Sequence, residues 1–417
     1  MTGSSALGAF GQAIGTVGDN IANVSTVGFK SSRAGFSDIL GGMGPNGQRA
    51  GGGVSMAGAQ TMLGQGSLQG TGRSLDLAVR GRGFFAVKGN HDGAEGTYFT
   101  RDGRFGTDNK GYLVNNQGLR LQGYGLDATG VRSAASGDLR LDAQSVPRAT
   151  TTAGISVQLD SSAAVGTFDP ANPAASSQYS TTTTVYDSLG AEHRVDVYYV
   201  SQGAGQWEWH AMVDGGDVGG TAGTPTEIGA GTLAFNSDGA LQTDTSSPLS
   251  ADFVNATPGQ SIALDFGDAL DDGGTGLAGS KQFAQSSDII ASTQDGWASG
   301  SVADVSVSDE GVVTARFSNG QSREIAQVGL ASFANEDGLE RMGDGLFASS
   351  RASGEALLGA AGEGSRGSLS AASLEASNVD LGNELVTLIA YQRAFQANSR
   401  TVTTADEMLS EIANLKR

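Results

Sequence analysis

Cysteine is absent from the 417-residue chain, which excludes disulfides, thiol catalysis and thiolate metal sites. Histidine is scarce as well: His91, His193 and His210 stand apart from one another, and no H-E-x-x-H pair occurs. Charged residues make up only 17% of the chain, few for a cytosolic enzyme of this size. No apolar run reaches about eighteen residues and no charged segment leads into an apolar one at the start, so neither a membrane span nor a Sec-type signal is expected. Nucleotide and hydrolase signatures are missing too. The nearest approach to G-x-S-x-G is Gly53-Val54-Ser55-Met56-Ala57, which lacks the second glycine. Asp265, Asp268, Asp271 and Asp272 do not follow the alternating ligand spacing of a calcium loop. The expectation is a protein that is not an enzyme and holds no cofactor or metal.

Glycine and negative charge are what the chain has in excess, with 65 Gly and a net charge of −19. The acid is localised. Sixteen Asp and Glu lie between Arg148 and Ser280 against two Arg, whereas residues 1–30 carry only Asp19 and Lys30. A body this acidic repels nucleic acid and anionic lipid, so neither is an expected partner.

Apolar periodicity is concentrated at the two ends. Leu7, Phe10, Ile14, Val17, Ile21 and Val24 recur at spacings of three and four, the stripe of a helix that packs along another helix. Leu388, Phe395, Val402 and Leu409 fall seven apart, with Tyr391 and Ile412 three residues after members of that series and Leu381 and Leu385 in the same apolar set. A lone helix of this length is marginal in water. These seams therefore need partners: each other, the ends of neighbouring copies, or both. The first helix is expected to end near Gly28, and the last to begin through Ser377-Asn378-Val379-Asp380, a capping-box pattern.

Between the ends the period is that of strands. Leu75, Leu77 and Val79 alternate, Phe84-Phe85-Ala86-Val87 follows, and turns at Arg101-Asp102-Gly103, Asp108–Gly111 and Asn115–Gly118 mark an antiparallel meander. A second meander occupies 302–333. Within the acidic stretch Val195, Val197 and Tyr199 alternate, and Trp207, Trp209, Ala211 and Val213 alternate back, a hairpin whose aromatics belong to a core. The fold class expected is α+β: mostly antiparallel β domains, one nested in another, with terminal helices forming a coiled-coil-like inner domain. Residues 1–30 and 371–417 are read as the helical polymerisation domain and 31–74 and 349–370 as Gly-rich connectors. Residues 75–147 and 281–348 are read as a β domain and 148–280 as the inserted acidic domain. Gly51, Gly52 and Gly53, in a stretch with seven Gly and one Pro in thirteen residues, are read as a hinge.

Three segments resemble a known family. Asp19-Asn20-Ile21-Ala22-Asn23-Val24-Ser25-Thr26-Val27-Gly28-Phe29-Lys30 is similar to the N-terminal signature of bacterial flagellar rod and hook proteins, with Asn20, Asn23, Thr26, Gly28, Phe29 and Lys30 as the motif positions. Leu75–Val79 with Gly81-Arg82-Gly83-Phe84-Phe85 and Tyr98–Phe105 resembles their central block, and Ser377–Asp380 through Tyr391–Arg400 their C-terminal one. Length and the inserted domain resemble the hook members of that family more than the rod members. The resemblance implies export by the flagellar type III apparatus and a homopolymer that forms a flexible, hollow, extracellular tube transmitting torque. It also implies contacts with a cap, the distal rod and the hook–filament junction proteins. A distal rod subunit and, from a different class, a secreted adhesin are the alternative expectations.

Overall fold

The structure, a computed structural model, describes residues 2–43, 49–127, 129–141 and 144–415. Its α-helices among these residues are α1 (Thr2–Ala22), the single-turn α2 (Pro173–Ser176) and α3 (Leu381–Leu415); the other regular elements are strands and two short 3-10 turns. The chain divides into two compact units, one of Met1–Ala143, Ala303–Arg316 and Ser322–Arg417, the other of Gln144–Val302 with Phe317–Gln321.

In the first unit a long antiparallel hairpin, β1 (Ser32–Met43) and β2 (Arg49–Thr61), follows α1, paired from Ser32↔Thr61 to Met43↔Arg49. Ala57 and Gly52 are skipped in the pairing, so β2 bulges twice where glycine and alanine make it easy to bend. The body of the unit is a sheet in which Ser322–Ser332, Arg120–Gly125, Phe84–His91, Ala94–Thr100, Leu346–Ala348 and Glu340–Gly343 are successive neighbours. Phe84 and Phe85 point to opposite faces of one strand, and both are fully buried. Phe84 meets Phe333 and Phe347 edge-on at 6.1 and 5.6 Å, while Phe85 meets Phe105 at 5.2 Å. The unbroken run Phe84-Phe85-Ala86-Val87 is thus a strand with core on both sides.

The second unit has two five-stranded sheets. Tyr179–Tyr186, Glu192–Gly203, Gln206–Asp214, Pro225–Phe235 and Leu241–Ser246 form an antiparallel meander. In the other sheet Thr152–Asp160 is parallel to Gln260–Asp265 and Lys281–Phe283 and antiparallel to Asp288–Gln294. Both sheets give side chains to one core, with Val195, Val197, Tyr199, Trp207, Trp209, Ala211 and Val213 in it. Arg194 and Asp196, one residue out of phase, stay outside it, and period-2 alternation is how such an acidic sequence keeps its charge in water. Burial pushes the Tyr199 phenol well above its ordinary pKa.

Three sequence expectations are corrected here. Within the Gly-rich connector read at 31–74, residues 32–43 and 49–61 form the β1–β2 hairpin, so Gly51, Gly52 and Gly53, read as a hinge, are strand residues; residues 44–48 lie outside the described set. The stretch at 349–370 includes the strand Leu357–Ala360 and most of the strand Ser368–Ala371. Backbone ladders need no large side chains, so Gly- and Ala-rich strands leave no apolar period to read. Finally, Lys281–Phe283 and Asp288–Gln294, assigned by charge to the first β body, pair with Thr152–Asp160 in the acidic unit.

Candidate functional site

The two terminal helices, 358 residues apart in sequence, pack in the same unit. α1 buries Ala6, Ala9, Ala13, Val17 and Asn20, a row with the same three-four spacing as the Leu7 series but about a quarter turn away from it. Leu7, Phe10, Ile14, Ile21 and Val24 are only half-buried. The hairpin explains the offset, because small side chains let its backbone approach: Val54 N donates to Ser5 Oγ at 3.4 Å. Gly53 sits at φ +107°, where any Cβ would run into Ser5 Oγ. Phe10, Phe36 of β1 and Tyr391 of α3 close a triangle with ring centroids 5.4, 6.0 and 5.8 Å apart, so helix, hairpin and helix meet at one aromatic junction.

On α3, Tyr391 and Val402 are half-buried where they meet Phe10 and Gly3 of α1, and Leu388 is half-buried as well, whereas Leu381, Leu385, Phe395, Leu409 and Ile412 are exposed. The structure therefore brings only part of the expected interface set together within one chain. Helix α1 stops at Ala22 and the chain turns through Gly28, short of the Gly28 end expected. At α3 the cap is Asp380, not Ser377: Asp380 Oδ1 accepts from Gly382 N at 2.9 Å and Asn383 N at 3.2 Å.

Behind the helix pair lies a buried polar clasp. Glu375 accepts from Lys30 Nζ at 2.6 Å, Gly66 N at 2.8 Å and Arg101 Nη1 at 3.2 Å, and all three side chains are buried. Lys30 also donates to Gly64 O, and Arg101 to Gly81 O. Burial lowers the pKa of the Lys30 ammonium, against the pull of Glu375, and it does the same to Arg101. Asn20 exchanges a pair of 2.8 Å hydrogen bonds with the Ser32 backbone and donates to Glu384 Oε1. Asn378 accepts from Ser31 N and donates to the carbonyls of Met62 and Gly64. Gly28, at φ +69°, donates its N–H to Glu375 O, and a Cβ there would lie 2.6 Å from the Arg101 backbone.

The motif positions thus have separate tasks. Asn20, Gly28 and Lys30 lock the N-terminal segment to residues 375–384. Phe29 is buried under the Arg341 guanidinium, 4.9 Å from its ring centroid. Asn23 and Thr26 shape the turn after α1 through Asn23 Nδ2 to Asp19 O and Thr26 Oγ1 to Asn23 Oδ1. Sequence reasoning missed Glu375, which carries no local pattern; it placed Arg101 and Asn378 within a turn and a capping pattern without their long-range role; and it missed the alanine row, whose spacing was visible but whose small side chains hid it behind the leucine-type seam.

Comparison with known proteins matches four segments of the chain to family models. Residues 1–30 match the flagella basal body rod protein family, 78–161 the flagellar hook protein FlgE/F/G D1 domain, 155–297 the flagellar basal body protein FlaE D2 domain, and 370–415 the flagellar basal body rod FlgEFG protein C-terminal family. The chain is 34% identical to flagellar hook protein FlgE of Salmonella typhimurium over 99% of its length and 98% of the relative's, and equally so to that of Escherichia coli K12. It is 35% identical to flagellar hook protein FlgE of Treponema pallidum over 96% of both. The crystal structure of Helicobacter pylori flagellar hook protein FlgE2 aligns with 72% of this chain and 98% of its own, at 17% identity and a TM-score of 0.45. On the full-length identities, the chain belongs to the flagellar hook protein family.

Proposed function

We propose that the chain is a structural subunit of the bacterial flagellar hook, polymerising through residues 1–30 and 371–417 into a hollow, flexible tube that carries motor torque to the filament. The observation that carries this reading is the row of large apolar side chains left in solvent on α3: Leu381, Leu385, Phe395, Leu409 and Ile412. Burying one such side chain is worth about 1.5–3 kcal/mol, and a helix that keeps this many exposed in a protein of this family has copies of itself as the natural cover. In this reading the subunit leaves by the type III export apparatus and works outside the cell. Its polymer ends meet the distal rod on one side and the cap and hook–filament junction proteins on the other. The adhesin alternative has no observation in its favour, since the hook relatives align through the acidic unit as well.

Electron microscopy of the purified chain after salt-induced polymerisation tests the proposal. Curved hollow tubes are expected; straight tubes mark a distal rod subunit, and a monomer that never assembles overturns the reading.

A further inference from the structure

Of the five glycines in α1, Gly3 packs against Val402, and the other four, Gly8, Gly11, Gly15 and Gly18, fall at spacings of three, four and three. All four are exposed, and a Cβ built on any of them meets nothing within 4 Å. At 100° per residue the row stands about half a turn from the buried Ala6, Ala9, Ala13 and Val17. Glycine inside a helix is unfavourable relative to alanine, so nothing within the subunit favours these residues. Elsewhere on the same unit, α3 presents Leu381, Leu385 and Ile389, one turn apart and 43, 44 and 49% exposed. This row lies about a third of a turn from the positions that face α1. The glycine row is about 15 Å long and the apolar row about 12 Å.

We propose that the apolar row of α3 seats in the glycine groove on α1 of a second copy. This rests on the hook-subunit reading and names the contact that builds the polymer. Large side chains at i, i+4, i+8 fit against a helix surface stripped of side chains at a three-four spacing, bringing the two backbones close. Charge does not oppose the approach, because Asp19 is the only ionisable side chain within α1. The two rows cannot meet inside one molecule, where α1 turns its other side to α3. The contact therefore joins unlike patches on successive copies, leaves one of each free at the ends, and extends without limit.

The chain contains no cysteine, so single introduced thiols report unambiguously. Gly15→Cys and Leu385→Cys proteins are mixed under polymerising conditions, oxidised and mapped by mass spectrometry; a 15–385 crosslink between copies is expected. Polymers in which only like-with-like crosslinks form, or none, overturn this contact and leave the hook-subunit reading standing. Failure of the wild-type chain to polymerise overturns the reading beneath it. As a second test, Gly11→Leu with Gly15→Leu fills the groove without touching anything in the monomer. The circular dichroism and melting temperature of the monomer are expected to hold while the critical concentration for assembly rises at least tenfold; unchanged assembly overturns the proposal.

Discussion

Lys30 Nζ lies 2.6 Å from Glu375 Oε1, although 345 residues separate the two. Glu375 also holds Arg101, so one buried carboxylate answers two buried cations. Removing one partner of such a pair costs about 3–5 kcal/mol, because the charge left behind stays out of water. The partners are not equivalent here. Lys30→Met leaves the carboxylate with Arg101 and the Gly66 N–H, whereas Glu375→Gln leaves two cations facing one another. Urea unfolding of the first unit should therefore show a larger loss for Glu375→Gln than for Lys30→Met, and equal losses would mean that Arg101 contributes nothing.

The same ammonium gives an alkaline signature. Burial holds the folded pKa of Lys30 below the 10.5 of a free side chain. Between those two values the unfolded chain binds the extra proton, so stability contributed by this site rises with pH. Unfolding midpoints of wild type and Lys30→Met, followed from neutral pH toward 10.5, should show the wild type gaining relative to the variant; a constant gap would place the folded and unfolded pKa together.

Gly28 and Gly72 separate conformation from collision. Both have positive φ, +69° and +75°, but a Cβ on Gly28 meets the Arg101 and Asp102 backbones at 2.6 Å, whereas one on Gly72 meets nothing within 4 Å. Gly72→Ala should cost about 1–2 kcal/mol for the left-handed backbone alone. Gly28→Ala must also push apart the segment carrying Arg101, and is expected to cost at least about 2 kcal/mol more, toward the upper range of single substitutions. Thermal unfolding of the two variants makes the comparison.

How much of this was legible in the sequence depended on side-chain size. Alternating Val, Tyr and Trp at 195–213 announced their hairpin because every second residue is large. The β1–β2 hairpin was misread as a loose connector because a strand of glycine, alanine and serine pairs through its backbone and shows no period. The helices were legible in existence and in apolar character, but not in where α1 ends or in which face is buried. That choice is made by the hairpin, which needs a surface it can approach closely and so selects the alanine row over the bulkier seam beside it. Glu375 has no local signal at all, and the turn around Arg101 does not tell that its guanidinium reaches a carboxylate 274 residues away.

Ala13 and Ile14 test that choice of face. Ala13 is fully buried and Ile14 half-buried, one position apart on α1. If bulk were the governing factor, Ile14→Ala would be the damaging change. Because the alanine row is the contact, Ala13→Leu should be worse, with overpacking of about 1–3 kcal/mol that drives the hairpin off the helix, against about 1 kcal/mol for the half-burial lost in Ile14→Ala. Hydrogen exchange of β1 and β2 amides should rise in Ala13→Leu and stay near wild type in Ile14→Ala.

Asp295 supplies an acid-side prediction for the second unit. Burial pushes its carboxyl up, but hydrogen bonds from Thr151 Oγ1 at 2.6 Å and from the N–H groups of Thr151 and Thr152 at 2.7 and 2.9 Å, with Arg148 at 3.1 Å, outweigh it and hold the pKa below 3.8. A carboxylate with a lowered folded pKa contributes stability above 3.8 that fades as pH falls through the folded value. Asp295→Asn keeps the shape and removes the charge. Urea midpoints of wild type and variant should therefore differ most near neutrality and converge as the pH drops below 3.8. A gap that persists at the lowest pH would assign the role of Asp295 to hydrogen bonding by a neutral acid, and the Arg148 contact would then be incidental.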